Sequence, residues 1–194
     1  MNSPPPQLWI LAGGNGAGKS TFYRTRLQDK GVEFINADLI EREIDLTENV
    51  QASYIAAGIA RTRFREAIEQ GRSFCFETVF SHDSKLEMLS TAKAQGYHVT
   101  LVFIHLGDAR LNELRVKQRV SEGGHSVPTE KIATRIPRTL SLMRHAMTLA
   151  DRTYLLDNSS YQDPFRQVAI KQGEEIHIVT DALPDWAHAL LSDR

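Results

Sequence analysis

Gly13-Gly14-Asn15-Gly16-Ala17-Gly18-Lys19-Ser20-Thr21 follows directly on the apolar run Leu8 to Ala12 and opens a stretch of helical character. The spacing is Gly-x4-Gly-Lys-Ser, and a place between strand and helix is the context that this pattern needs to hold nucleotide phosphates. Glycines let backbone N–H groups converge on phosphate oxygens, and the helix N-terminus adds positive potential. Lys19 is placed to reach the β and γ oxygens, Ser20 to ligate Mg²⁺ and Thr21 to assist at the α-phosphate. All nine residues are read as an ATP–Mg²⁺ cradle. Such a cradle specifies a triphosphate site and leaves open what happens to the phosphate.

Outward from the cradle, the apolar stretches Val32 to Ile35, Phe74 to Phe76, Val99 to Ile104 and Thr153 to Leu156 alternate with helical patterns, the longest at Val50 to Gln70 and Ser84 to Gln95. Strands that alternate with helices pair in parallel, and parallel strands covered on both faces have no polar side, so they read as nearly unbroken apolar runs. The predicted fold is α/β: a P-loop NTPase three-layer α/β/α sandwich with a mainly parallel central sheet. Ile176 to Val179 is read as a last strand and Asp185 to Leu191 as a closing helix capped by Asp185. A chain of 194 residues with 41% hydrophobic content fits one domain over 1–194.

The net charge of −1 argues against a general nucleic-acid or membrane-surface binder. Cys75 is the single cysteine, which excludes an internal disulfide and a thiolate metal cluster and fits a reducing compartment. The N-terminal Met-Asn-Ser-Pro-Pro-Pro has no signal-like flank, and no apolar run approaches a membrane span, so the expectation is a cytoplasmic protein. Charge is uneven along the chain. Arg110 to Arg152 holds nine Lys or Arg against four Asp or Glu, and reads as a basic helical lid over about 109–150, two helices separated at Gly123-Gly124, the second kinked at Pro137.

The chain shows neither a guanine-reading Asn-Lys-x-Asp nor an apolar strand ending in paired acids, which leaves a small-molecule kinase as the reading of the cradle. Such an enzyme needs an acid near the acceptor hydroxyl and arginines on the transferring phosphoryl. Asp38, just past Phe34-Ile35, fits the acid; it fits equally a cap for a helix over Leu39 to Ile44. Glu77, with Thr78 after it, ends an apolar strand at the same sheet edge, where it can support Mg²⁺ or meet the acceptor. Lys131, Arg135 and Arg138 share one helix face and Arg119 ends the preceding helix, so they form an arginine clamp or a solvated face. His125 is read as a loop histidine, Cys75 as a core residue, and the seven histidines show no metal-ligand spacing.

These residues resemble the zeta-toxin family of P-loop kinases, in particular its short single-domain members, over about Leu8 to Asn158. The matching stretches are Gly13 to Thr21, Asn36-Ala37-Asp38-Leu39-Ile40-Glu41-Arg42, Glu77-Thr78, Arg119-Val120 with Gly123-Gly124-His125, Arg135 and Asp157-Asn158-Ser159. The resemblance implies that Asp38 is the general base, Glu77 and Thr78 face the acceptor, Arg119 and Arg135 act on the ATP phosphates with Lys19, and Asn158 lies near adenine. Characterised zeta toxins phosphorylate a UDP-N-acetylamino sugar and are held inactive by a protein antitoxin. Where zeta toxins carry Glu-Gly-Thr and an arginine two residues on, this chain reads Glu77-Thr78-Val79-Phe80-Ser81. The acceptor therefore stays open between a UDP-sugar and another metabolite or antibiotic, as for the related chloramphenicol phosphotransferase, and a nucleotide-dependent switch ATPase stays as the alternative to a kinase.

Overall fold

The computed structural model describes residues 4–44, 51–123 and 127–192. The run that leads into the glycines is β1 (Gln7–Ala12), flanked in a seven-stranded sheet by β3 (Phe74–Thr78) and β4 (His98–His105). β2 (Glu33–Ile35) adds outside β3, and β5 (Arg152–Asp157) outside β4, all five in parallel. β6 (Arg166–Gln172) and β7 (Glu175–Ile178) then extend the sheet antiparallel, giving the order β2-β3-β1-β4-β5-β6-β7. The five parallel strands and the last one stand where the apolar runs put them. β6 was not expected from the sequence: Arg166-Gln167-Val168-Ala169-Ile170-Lys171-Gln172 buries only Val168 and Ala169 fully, and its pairing with β5 gives it its place.

Alternate residues of the central strands feed two separate cores, which is the reason these strands are apolar throughout. Leu8, Ile10, Phe74, Phe76, Leu101 and Phe103 face one side. There they meet α3 (Ala52–Glu69), α4 (Ser84–Ala94), α6 (Thr129–Leu149) and α7 (Asp185–Leu191). Phe64 of α3 sets its ring edge against both Phe74 and Phe76. Leu11, Cys75, Val102, Ile104 and Leu156 face the other side, closed by Ala17, Leu27 and the rings of Phe22 and Tyr23 from α1 (Lys19–Arg26) and its flanks. Cys75 is fully buried and burial pushes its thiol up, as befits a core residue. The outcome is the three-layer α/β sandwich expected.

Two local expectations are corrected. Asp185 does not cap α7: it is the first helical residue, Pro184 precedes it as N-cap, and no side chain accepts there. Nor does Asp38 cap α2 (Ala37–Glu43), because Asn36 does so, its side-chain oxygen accepting from Leu39 N–H at 3.0 Å. α6 runs on through Pro137, whose missing N–H leaves the Ala133 carbonyl without its helical donor. Gly124, His125 and Val50 lie outside the described residues.

His105, at the end of β4, is buried between the Phe103 and Trp186 rings, and burial pulls its imidazole down to about 4 despite the opposing pull of Asp157. Between pH 6.5 and about 4 the unfolded chain therefore binds a proton that the folded one refuses. Stability is expected to fall with acid through this window, by at most about 1.4 kcal/mol per pH unit. His105→Phe, which keeps the ring stack, is expected to flatten that part of a urea-denaturation series against pH; an unchanged slope would show that other groups carry it.

Candidate active site

The carboxyl ends of β1, β2 and β3 open onto a cleft of about 1470 Å³. The turn from β1 to α1 is shaped by glycines where nothing larger fits. Gly13 has φ +147° and a Cβ there would stand 2.2 Å from the Ile104 carbonyl oxygen, while one on Gly18, φ +99°, would stand 2.5 Å from Asn158 Nδ2. Gly13, Gly14 and Ala17 are buried and give the loop its form; Asn15, Gly16, Gly18, Lys19, Ser20 and Thr21 line the cleft. The loop is pinned from two sides by buried asparagines. Asn158, after β5, donates to the Ala17 carbonyl at 2.8 Å and accepts from Phe165 N–H at 3.2 Å. Asn112, in α5 (Ala109–Ser121), donates to the Asn15 carbonyl at 2.7 Å. Asn158 thus sits beneath the phosphate loop as a brace.

Lys19 is almost wholly buried, donates to the Gly14 carbonyl at 3.0 Å and lies 3.7 Å from Glu77 Oε1. The other Glu77 oxygen accepts from Ser20 Oγ at 2.7 Å and from Asn36 Nδ2 at 2.6 Å. Parallel pairing explains the meeting: Glu77 stands opposite Leu11 in the β1–β3 register, one residue from the strand end, so its side chain reaches the helix that the loop begins. A buried carboxylate beside a lysine, a hydroxyl and an amide has its charge and lone pairs met. Ser20 and Glu77 together present a hydroxyl and a carboxylate, hard oxygens of the kind Mg²⁺ takes one or two at a time alongside water and phosphate.

Asp38, in the first turn of α2, lines the same cleft half-exposed, with Arg119 Nη1 3.8 Å from its carboxylate. Arg119 lies at the end of α5, and Arg135 and Lys131 reach the cleft wall from α6. Arg138, third in that row, is exposed and off the cleft wall. Thr78 lines the cleft while its hydroxyl accepts from Phe80 N–H at 3.0 Å, holding Phe80 at φ +60°, an uncommon backbone for a bulky residue. Arg115 was missed by the sequence reading; it lines the cleft, its guanidinium carbon 4.8 Å from the centre of the Tyr161 ring, which lines it too. Asn112 was missed too. Nothing local marks it, since its partner Asn15 is 97 positions away.

Among the described residues no three His, Cys, Asp or Glu side chains are grouped to hold a metal ion by themselves, and no helix is long and apolar enough to cross a membrane.

The AAA domain family model matches residues 8–139. An uncharacterised protein of Haemophilus influenzae (strain ATCC 51907 / DSM 11121 / KW20 / Rd) is 33% identical over 137 residues, which are 66% of this chain and 96% of that protein. Among solved structures, the AvrRxo1-ORF1:-ORF2 complex with ATP superposes with a TM-score of 0.75 at 16% identity, over 97% of this chain and 65% of the matched one. The PezAT chromosomal toxin–antitoxin system of Streptococcus pneumoniae gives 0.65 at 18% identity, over 81% of this chain and 69% of the matched one. At these identities the two likenesses speak to the fold alone, a three-layer α/β sandwich.

Proposed function

Since the chain belongs to the AAA domain family and carries a P-loop kinase-like fold, we propose that it is an ATP- and Mg²⁺-dependent kinase of zeta-toxin type, acting on a small-molecule hydroxyl. The observation that carries this reading is the convergence of Lys19, Ser20, Glu77 and Asp38 on one cleft from three neighbouring strand ends. A phosphate loop alone serves switches and motors as well; a cleft that adds an acid able to meet a second substrate suits transfer.

In this reading the loop from Gly13 to Thr21 holds the ATP phosphates through backbone N–H groups, with Lys19 swinging from the Gly14 carbonyl to the β and γ oxygens. Ser20 and Glu77 would hold Mg²⁺, which would supply positive charge to offset that of the phosphates. Asp38 orients the acceptor hydroxyl and takes its proton as the oxygen attacks the γ-phosphorus in line, the bond to the β,γ-bridging oxygen breaking and ADP leaving with its electron pair. Arg119, paired with Asp38, and Arg135 from the α6 wall meet the charge on the transferring phosphoryl as the basic helices close down, the lid role given them here. Thr78 borders the acceptor, and Asn158 holds the loop in the shape that receives ATP. A UDP-N-acetylamino sugar is one acceptor of the right kind, and a protein antitoxin is a fitting partner, as the PezAT structure is of a toxin–antitoxin system. The chain is read as one domain working in the cytoplasm.

The test is to incubate the protein with ATP, Mg²⁺ and a cell-metabolite extract and to search by mass spectrometry for a species that gains one phosphate. Wild type is expected to produce one and Lys19→Ala none, with the variant still folded. Phosphate release to water without any phosphorylated metabolite would favour a switch ATPase, and transfer by Lys19→Ala at the wild-type rate would overturn the assignment.

A further inference from the structure

Besides the phosphate loop, the cleft is lined by Tyr54, Ala57, Phe76, Phe80, His82 and Lys85. The surroundings of Lys85 do little to hold its charge. It stands in the first turn of α4, where the positive end of the helix dipole opposes a cation. Its Nζ lies over the Phe76 ring, 5.4 Å from its centre, a modest cation–π attraction, and among the described residues it donates to Met88 Sδ, at 3.7 Å, a weak acceptor. Among the described residues no carboxylate pairs with it. Burial lowers its affinity for a proton, and the neighbouring positive charge of Arg61 lowers it further.

A lysine required only by the fold would be paired or would extend its ammonium into water. This one is held over an aromatic ring in a ligand-sized cleft, in the field of Arg61 and with no carboxylate partner among the described residues. The adjoining His82 accepts Ser84 N–H on Nδ1 at 3.2 Å and lines the cleft as well. We propose that Lys85 recognises an anionic group, phosphate or carboxylate, carried by the acceptor, and so restricts the enzyme to anionic hydroxyl compounds and against neutral ones. The inference rests on the kinase reading and specifies the acceptor class within it.

The experiment divides a cell-metabolite extract on an anion-exchange resin into retained and unretained fractions and offers each, with ATP labelled in the γ-phosphate, to wild type, Lys85→Met and Lys85→Arg. Wild type is expected to label a compound in the retained fraction. Lys85→Met keeps the bulk against Phe76 without the charge, and is expected to raise KM for that fraction by about 10- to 100-fold, the worth of a charge-assisted hydrogen bond, with KM for ATP unchanged. Lys85→Arg is expected to restore most of it. The melting temperature of Lys85→Met is expected to stay level or rise, because the cation removed has no carboxylate partner among the described residues and the methionine keeps the packing on Phe76. Pretreating the retained fraction with a nucleotide pyrophosphatase followed by phosphatase assigns the anion: lost labelling means a phosphate mono- or diester, and surviving labelling a carboxylate.

Labelling confined to the unretained fraction would overturn the proposal, as would an unchanged KM in Lys85→Met. A drop in melting temperature with no rescue by Lys85→Arg would show Lys85 to be structural and overturn it too. If wild type labels neither fraction, the kinase reading itself falls and takes this inference with it.

Discussion

Asp38→Asn is expected to leave ATP affinity and the melting temperature nearly unchanged while lowering acceptor phosphorylation by about two to four orders of magnitude, the usual worth of a positioned base. The structure sharpens this expectation. Helix α2 is capped by Asn36 and not by Asp38, so the substitution removes no cap. The Asp38–Arg119 pair at 3.8 Å joins side chains that are 40% and 34% exposed, and a pair of that kind is worth about 0–1 kcal/mol. Charge lost from the first helical turn typically costs about 0.3–1 kcal/mol more. Almost nothing in the fold depends on the carboxylate, so its effect should appear in the chemistry. ATP affinity, melting temperature and acceptor phosphorylation measured on one preparation decide the matter: phosphorylation within a few-fold of wild type removes Asp38 from the mechanism, and lost ATP binding moves it to the nucleotide.

Glu77→Gln is expected to cut kcat by about 10²- to 10³-fold and to shift the Mg²⁺ requirement to higher concentration. The glutamine carbonyl can still accept from Ser20 and Asn36, as Glu77 Oε2 does, so the tie between the phosphate loop and α2 survives. What is lost is the negative charge next to Lys19 and the carboxylate offered to Mg²⁺, with an amide N–H2 now facing the ammonium. Asn36→Ala makes the complementary change, breaking the tie and the α2 cap while keeping the charge. A Mg²⁺ titration of the two variants separates the roles. If Glu77→Gln titrates like wild type and Asn36→Ala is the more damaged in kcat, Glu77 is a structural strut.

Much of this site was legible in the sequence because its core is local. A strand, a glycine-rich turn, a lysine and a helix are consecutive, and the φ values at Gly13 and Gly18 admit little else. The strands could be read because burial on both faces leaves no polar positions to blur the pattern, as in β1 and β4. β6 escaped because it lies toward the edge, with Arg166, Lys171 and Gln172 in the same seven residues as Val168 and Ala169. The residue type of a cap was legible but its address was not: Asn36 and Asp38 are both good caps two positions apart, and the choice turns on where β2 ends.

The sequence by itself determined the phosphate loop, the parallel strand–helix alternation and the acids at the strand ends, since each follows from residue type, backbone allowance and period over a short span. Only the tertiary structure decided which groups meet. Glu77 finds Ser20 across 57 positions because β3 lies beside β1; Asn112 and Asn158 close on the loop from 97 and 141 positions away; and Lys85 comes to face a cleft with no carboxylate among its described contacts. Such contacts depend on strand order and helix docking, which are properties of the whole packed chain and leave no periodic trace in the residues they join.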